Sequence, residues 1–323
     1  MKVFVTYKLP EAGMKNLRGK FDLILYEEER LPSKEDLLRN VPDADALLCV
    51  ATVIDRDIMD AGRKLRVVAN YGVGYNNIDV DYATRKGLMV TNTPGVLTET
   101  TADLAWAILM AVARRLVEGD RLLRAGDPRV WKLNGMLGSD VQGKVLGIVG
   151  FGRIGKAVAR RALGFGMKVL YYSRHRVASE VEQAYNATYI DLDTLLKQAD
   201  FVSLHVPLDD STRHLIDAAK LSLMKPTAFL INTSRGAVID EQALAQALKQ
   251  RRIAGAALDV YEREPELSRG LAEQDNVVLI PHLGSATKQT RDAMAELAAE
   301  NVIAVLSGQV PPSLVNKQVL KTM

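Results

Sequence analysis

The sequence predicts an α/β chain built from two doubly wound parallel-sheet units. Short apolar runs alternate with helical patterns almost end to end, the rhythm of βαβ units. That rhythm is interrupted once, at Thr91-Asn92-Thr93-Pro94-Gly95, and restarts at Val145. At 323 residues the chain fits two domains of ordinary size better than one.

In the first series, strands are expected at 3–7, 23–26, 46–50, 66–71 and 88–91, with helical patterns at 11–17, 33–39 and 80–86. A long helix is expected over 99–117, where Leu104, Trp106, Ile108, Leu109 and Met110 make it apolar nearly all round and so buried on every side. Residues 119–143 carry several glycines and a proline and read as an irregular excursion. The second series has strands expected at 145–149, 168–172, 201–205, 228–232, 256–261 and 277–280. A final helix over 288–306 precedes Pro311-Pro312.

The bulk numbers narrow the function. Apolar residues at 48% and charged residues at 25% describe an ordinary globular chain. A net charge of +3 without a basic stripe argues against nucleic acid or an anionic membrane as partner. The longest apolar run, 104–113, is too short to span a bilayer, and the N-terminus lacks a signal-peptide layout, so a cytoplasmic location is expected. Cys49, the single cysteine, lies among Leu47, Leu48 and Val50 and reads as a small core residue. Four scattered histidines show no metal-ligand spacing, and no metal is expected.

Gly150-Phe151-Gly152-Arg153-Ile154-Gly155 comes directly after the 145–149 run and opens a helical pattern. In that context G-x-G-x-x-G is the turn of a dinucleotide-binding Rossmann unit: glycines allow a tight turn and close approach to a pyrophosphate, and the helix N-terminus supplies amides. Ligands of open parallel sheets sit beyond the carboxyl ends of the strands. At those ends the second series places Thr233-Ser234-Arg235, Glu262-Arg263-Glu264 and Pro281-His282-Leu283-Gly284-Ser285. Arg235, Glu264 and His282 therefore share one sheet edge with the nucleotide turn, and they are the candidate catalytic groups.

The chain resembles the D-isomer-specific 2-hydroxyacid dehydrogenases over nearly its whole length. The stretches that carry the resemblance are GIVGFGRIG at 147–155, DFVSLHVPL at 200–208, TAFLINTSRGAVID at 227–240, GAALDVYEREP at 255–265 and PHLGSAT at 281–287. NYGVGYNNID at 70–79, TNTPGVLT at 91–98 and VPPSLVN at 310–316 look closest to the glyoxylate/hydroxypyruvate reductase branch.

The resemblance implies a Rossmann cofactor domain, 98–287, inserted into a flavodoxin-like substrate domain, 1–97 plus 288–323. It also implies reduction of a small 2-oxo acid by hydride transfer. Arg235 would hold the substrate carboxylate through its planar fork and polarise the carbonyl. His282 would donate the proton, with Glu264 orienting the ring and favouring its charged form. The Val73 and Gly74 amides match the family's carboxylate loop, and Ser285 is grouped with them. His205, Val206, Pro207, Thr233, Ser234, Asp259 and Gly284 join the glycine turn as cofactor-binding candidates.

The strand that ordinarily ends in an acid for the ribose of NAD ends here in Ser173-Arg174-His175-Arg176, with no acidic residue between Gly155 and Glu180. A 2′-phosphate suits these groups, so NADP(H) is expected in preference to NAD(H), which is also possible. His214 reads as a surface residue. Trp131 matches the aromatic that family dimers insert near a partner's site, or else packs under a loop; the second tryptophan of many relatives is missing. A homodimer is expected through the 99–117 region. Other D-2-hydroxy acids, phosphonate, or a co-repressor-like nucleotide sensor remain alternative readings.

Overall fold

The computed structural model describes residues 1–321, without the side chain of Arg129. Two compact units are formed, one from Met1–Leu97 together with Ala286 to the C-terminus, the other from Thr98–Ser285. The first is called the outer unit below and the second the inserted unit. The outer unit resumes at Ala286 rather than at 288, because Thr287 caps the final helix through its hydroxyl and belongs with it.

The outer unit runs β1 (Lys2–Val5), α1 (Glu11–Arg18), β2 (Asp22–Leu25), α2 (Lys34–Asn40), β3 (Ala46–Cys49), α3 (Arg56–Ala61), β4 (Val67–Asn70), α4 (Val80–Arg85) and β5 (Met89–Thr91). All pairings are parallel, in the order β2-β1-β3-β4-β5. This is the flavodoxin-like order expected, and β3 and β4 are buried along their whole length, as strands covered on both faces must be. Cys49 is fully buried in this core, where burial pushes its thiol up to about 12.

The inserted unit runs α5 (Thr98–Ala113), α6 (Leu116–Arg124), β6 (Val145–Val149), α7 (Arg153–Gly164), β7 (Lys168–Tyr172), α8 (Ser179–Ala184), β8 (Ala187–Tyr189), α9 (Leu192–Gln198), β9 (Phe201–Leu204), α10 (Ala218–Leu223), β10 (Phe229–Asn232), α11 (Glu241–Lys249), β11 (Gly255–Leu258) and β12 (Val277–Leu279). The chain then returns to the outer unit through α12 (Lys288–Leu306). The seven parallel strands take the order β12-β11-β10-β9-β6-β7-β8. Strand order reverses between β6 and β9, which makes their carboxyl ends the topological switch point where such sheets bind ligands. Local capping fixes where several helices start: Asp191, Asp217 and Asp240 each accept an amide from the first turn of the next helix.

Three expectations need correction. The helix expected over 99–117 is two helices, because Arg115 adopts a left-handed conformation (φ 54°) and its guanidinium bonds Glu118. Nor is α5 buried on every side: Asp103 and Ala107 are exposed, and Asp103 takes an ion pair from Arg161 of α7. The excursion expected over 119–143 is partly helical, since α6 continues to Arg124 and a short turn of helix covers Pro128–Trp131. The short edge strand β8 was not anticipated.

Candidate active site

The glycine turn meets its three requirements at three different residues. Gly150 has φ +99°, and a Cβ there would sit 2.6 Å from the His205 carbonyl, so β6 and β9 could not approach at the switch point. A Cβ on Gly155 would lie 2.1 Å from the Gly150 carbonyl oxygen, which locks α7 against the turn. Gly152 meets nothing within 4 Å. It starts α7 without a side-chain cap, leaving the helix N-terminus, with Arg153 and Ile154 in its first turn, to an anion. Thr233, at the carboxyl end of β10, keeps a buried hydroxyl oxygen without a hydrogen-bond partner among the described residues. These residues fit a dinucleotide.

Arg235, Glu264 and His282 come after β10, β11 and β12, three consecutive neighbours in the sheet. The Arg235 turn is built by Asn232, whose side-chain amide donates to the Arg235 carbonyl at 2.9 Å and whose Oδ1 accepts from Ser234 Oγ at 2.8 Å. Gly236 lets this turn pack on the next strand, since a Cβ there would lie 1.8 Å from the Tyr261 carbonyl carbon. Burial pulls the half-buried Arg235 guanidinium down and the Glu264 charge raises it again.

His282 Nδ1 lies 2.8 Å from Glu264 Oε2, and the other carboxylate oxygen, Oε1, accepts the Tyr261 amide at 3.0 Å. Burial disfavours the charged carboxylate, but the His282 hydrogen bond and charge, the Tyr261 amide and the Arg235 cation outweigh it. Glu264 is held below the usual carboxylate range. The His282 backbone is left-handed, φ 52°, and its amide donates to the Asp259 carbonyl at 2.9 Å. Asp259 is buried, and its carboxylate accepts from the Leu283 amide and, at 2.8 Å, from the Gly284 amide. Asp259 thus builds the loop that carries His282. Burial pushes its carboxyl up. The loop ends with Ser285, half-buried at the end of the inserted unit.

At the end of β9, His205 Nε2 lies 2.8 Å from Ser203 Oγ, and desolvation pushes the imidazole down to about 3, so it is neutral at working pH. Val206 and Pro207 come next along the same edge. The basic loop after β7 is less open than its sequence suggests. Arg176 donates twice to Glu182 at 2.8 Å. That carboxyl is held down to about 2 by Arg176 and by the Tyr171 hydroxyl. Arg174 is 65% exposed and pairs with Asp209 at 3.3 Å, while Ser173 Oγ donates to the His175 carbonyl.

His214 is not the plain surface residue expected, because its Nε2 lies 2.9 Å from Glu262 Oε1 and the side chain is partly covered. The Glu262 amide in turn donates to buried Glu241 at the start of α11, which also accepts from Ser268. This anchor of the Glu264 loop bridges residues far apart in sequence, and no local pattern signals it. In the outer unit, Val73 and Gly74 lie half-buried in the loop after β4.

A model of the NAD-binding domain of D-isomer-specific 2-hydroxyacid dehydrogenases matches residues 106–284. The chain is 51% identical to a glyoxylate reductase of Thermococcus litoralis, over 99% of this chain and 98% of that one. It is 53% identical to a glyoxylate reductase of Korarchaeum cryptofilum, over 99% and 97%. Among solved structures, a protein from Thermus thermophilus superposes with a TM-score of 0.90 at 43% identity, covering 98% of this chain and all of that one. An NADPH-dependent glyoxylate/hydroxypyruvate reductase from Sinorhizobium meliloti, solved with NADP and malonate, gives 0.86 at 33% identity, covering 98% of this chain and 97% of that one. The chain belongs to the D-isomer-specific 2-hydroxyacid dehydrogenase family.

Proposed function

We propose that this protein reduces a small 2-oxo acid: glyoxylate to achiral glycolate, or hydroxypyruvate to the D-2-hydroxy acid. The observation that carries this reading is the Arg235, Glu264 and His282 constellation on adjacent strand ends beside a dinucleotide turn. The names of its relatives agree with it. The inserted unit binds the dinucleotide and the outer unit the substrate.

When bound, the reduced nicotinamide supplies the hydride. Arg235 takes the substrate carboxylate in its fork and draws electron density onto the carbonyl oxygen. In the outer unit, the Val73 and Gly74 amides are the proposed donors to a substrate carboxylate. His282 gives its proton to the oxygen as charge develops there, and Glu264 holds the imidazole and stabilises its cation. His205, Val206, Pro207, Thr233, Ser234, Asp259 and Gly284 line the nucleotide side.

The His282 hydrogen bond and charge help to hold the Glu264 carboxyl down, and the same bond fixes the imidazole ring. Glu264→Gln removes that support. The kcat/KM for reduction is expected to fall roughly ten- to a hundred-fold at constant pH as the ring loses its anionic anchor, and an unchanged kcat/KM removes Glu264 from this role. A carboxylate held below its ordinary value near 4.3 also contributes stability that is present above that pH and lost on acidification.

NADP(H) is the preferred cofactor in this reading. With Arg176 committed to Glu182, the 2′-phosphate falls to Ser173, Arg174 and His175. Arg174→Ala is expected to raise the KM for NADPH about ten-fold, with little change for NADH. A KM for NADH at or below that for NADPH in the unaltered enzyme ends this preference.

A homodimer is the proposed assembly. Leu116, Val117, Leu123, Trp131, Leu133 and Leu137 are all exposed within one stretch of the inserted unit. Trp131 is 81% exposed, and among the described residues no loop covers it. The test of function is oxidation of NADPH and NADH at 340 nm with glyoxylate, hydroxypyruvate, pyruvate and 3-phosphohydroxypyruvate. Turnover confined to the first two supports the reading, and none with either overturns it.

A further inference from the structure

The loop expected to receive the substrate carboxylate is held by side chains that take no part in the proposed chemistry. Its three successive carbonyls, of Gly72, Val73 and Gly74, are all fixed by donors within the outer unit. Asn70 Nδ2 donates to the Gly74 carbonyl at 2.8 Å and to the Gly72 carbonyl at 3.3 Å. The Gly72 carbonyl also accepts the Thr93 amide at 3.0 Å. Asn92 Nδ2 donates to the Val73 carbonyl at 2.8 Å. Among the described residues of the outer unit, neither the Val73 nor the Gly74 amide donates to the protein.

Both asparagines are themselves pinned. Asn70 is 3% exposed, and its Oδ1 accepts from Asn77 Nδ2 at 3.4 Å and from the Cys49 thiol at 3.7 Å. Asn92 is 9% exposed; its amide donates to the Ser313 carbonyl, and its carbonyl accepts from buried Asn301 of α12. A side-chain amide supplies donors and carries no charge. It can hold carbonyls inward without placing a cation that would compete for the substrate or an anion that would repel it.

We infer that Asn70 and Asn92 are positioning residues for the substrate carboxylate: by tying down the carbonyls of 72–74 they fix the Val73 and Gly74 amides as a ready-made anion receptor. The cost of ordering the loop is then met in folding rather than at binding. The inference rests on the carboxylate reading of this loop given above.

The test uses the full-length enzyme and oxamate, which has the carboxylate but no reducible carbonyl. Asn92→Ala and Asn70→Ser are expected to raise the oxamate inhibition constant and the glyoxylate KM about ten-fold each. The kcat and the NADPH dissociation constant should stay within about two-fold of the unaltered enzyme. Val73→Pro, which deletes one receptor N–H outright, tests the underlying reading.

If Val73→Pro weakens oxamate but the asparagine variants do not, the inference is wrong and the carboxylate reading survives. If none of the three weakens oxamate, the carboxylate reading fails and the inference falls with it. If the asparagine variants lose kcat, nucleotide affinity and thermal midpoint in parallel with oxamate affinity, the two residues are structural only and the inference is overturned.

Discussion

Replacing His282 with alanine is expected to lower kcat for glyoxylate reduction roughly a thousand-fold, the scale of a lost general acid. That loss corresponds to about 4 kcal/mol of transition-state stabilisation. The reasoning is geometric. The imidazole is pinned at Nδ1 by Glu264 at 2.8 Å, so in the proposed mechanism Nε2 is the nitrogen that carries the donated proton. Its backbone is held left-handed by the Asp259 carbonyl, and the Asp259 carboxylate holds the next two amides. An alanine can trace this backbone path at modest strain, so the fold should survive and NADPH should still bind, as fluorescence titration would report. Undiminished turnover would show that the proton comes from elsewhere.

The part of this site that was legible in the sequence is the part written locally. A buried parallel strand is a continuous apolar run, and the polar residues just past its carboxyl end mark the sheet edge. So the apolar runs 145–149, 228–232 and 277–280 lead directly to Gly150, Arg235 and His282. The glycine turn was legible for the same reason, since turn, approach and packing fall within six residues. The break at Arg115 was not, because the apolar pattern runs on through Leu116 and Val117 and no glycine or proline marks the stop. The strand Ala187–Tyr189 is three residues long with an exposed threonine at its centre, too short for a period to show.

Pairings across the chain were beyond reach for a different reason. Arg176 looked available for a 2′-phosphate because nothing in its spacing says that Glu182 folds back on it. Asn92 meets the Val73 carbonyl and Asn301 only once β4, β5 and α12 are assembled. Side-chain amides and carboxylates that brace a loop carry no periodic signature. They become readable through burial, as for Asp259 and Glu241, which are each 1% exposed and are anchored by backbone amides.

Replacing Arg235 with lysine is expected to cost roughly a hundred-fold in kcat/KM for glyoxylate, although charge is conserved. Lysine offers a point charge on a flexible stem where the reaction needs a planar fork that meets the carboxylate with one N–H and the carbonyl oxygen with another. The site also punishes the exchange electrostatically. The guanidinium is desolvated enough that burial pulls its proton affinity down, and an ammonium in the same place is more strongly hydrated and loses more on desolvation. The turn gives it no latitude, because Asn232 fixes the backbone at 235 and Gly236 is packed against Tyr261. Loss should appear in kcat as well as KM, since carbonyl polarisation grows toward the transition state while carboxylate binding does not. The Glu264 carboxyl, which the Arg235 cation helps to hold down, should stay low in Arg235→Lys and rise in Arg235→Ala. Equal kcat/KM for Arg235→Lys and the unaltered enzyme would reduce Arg235 to a charge and remove the fork from the mechanism.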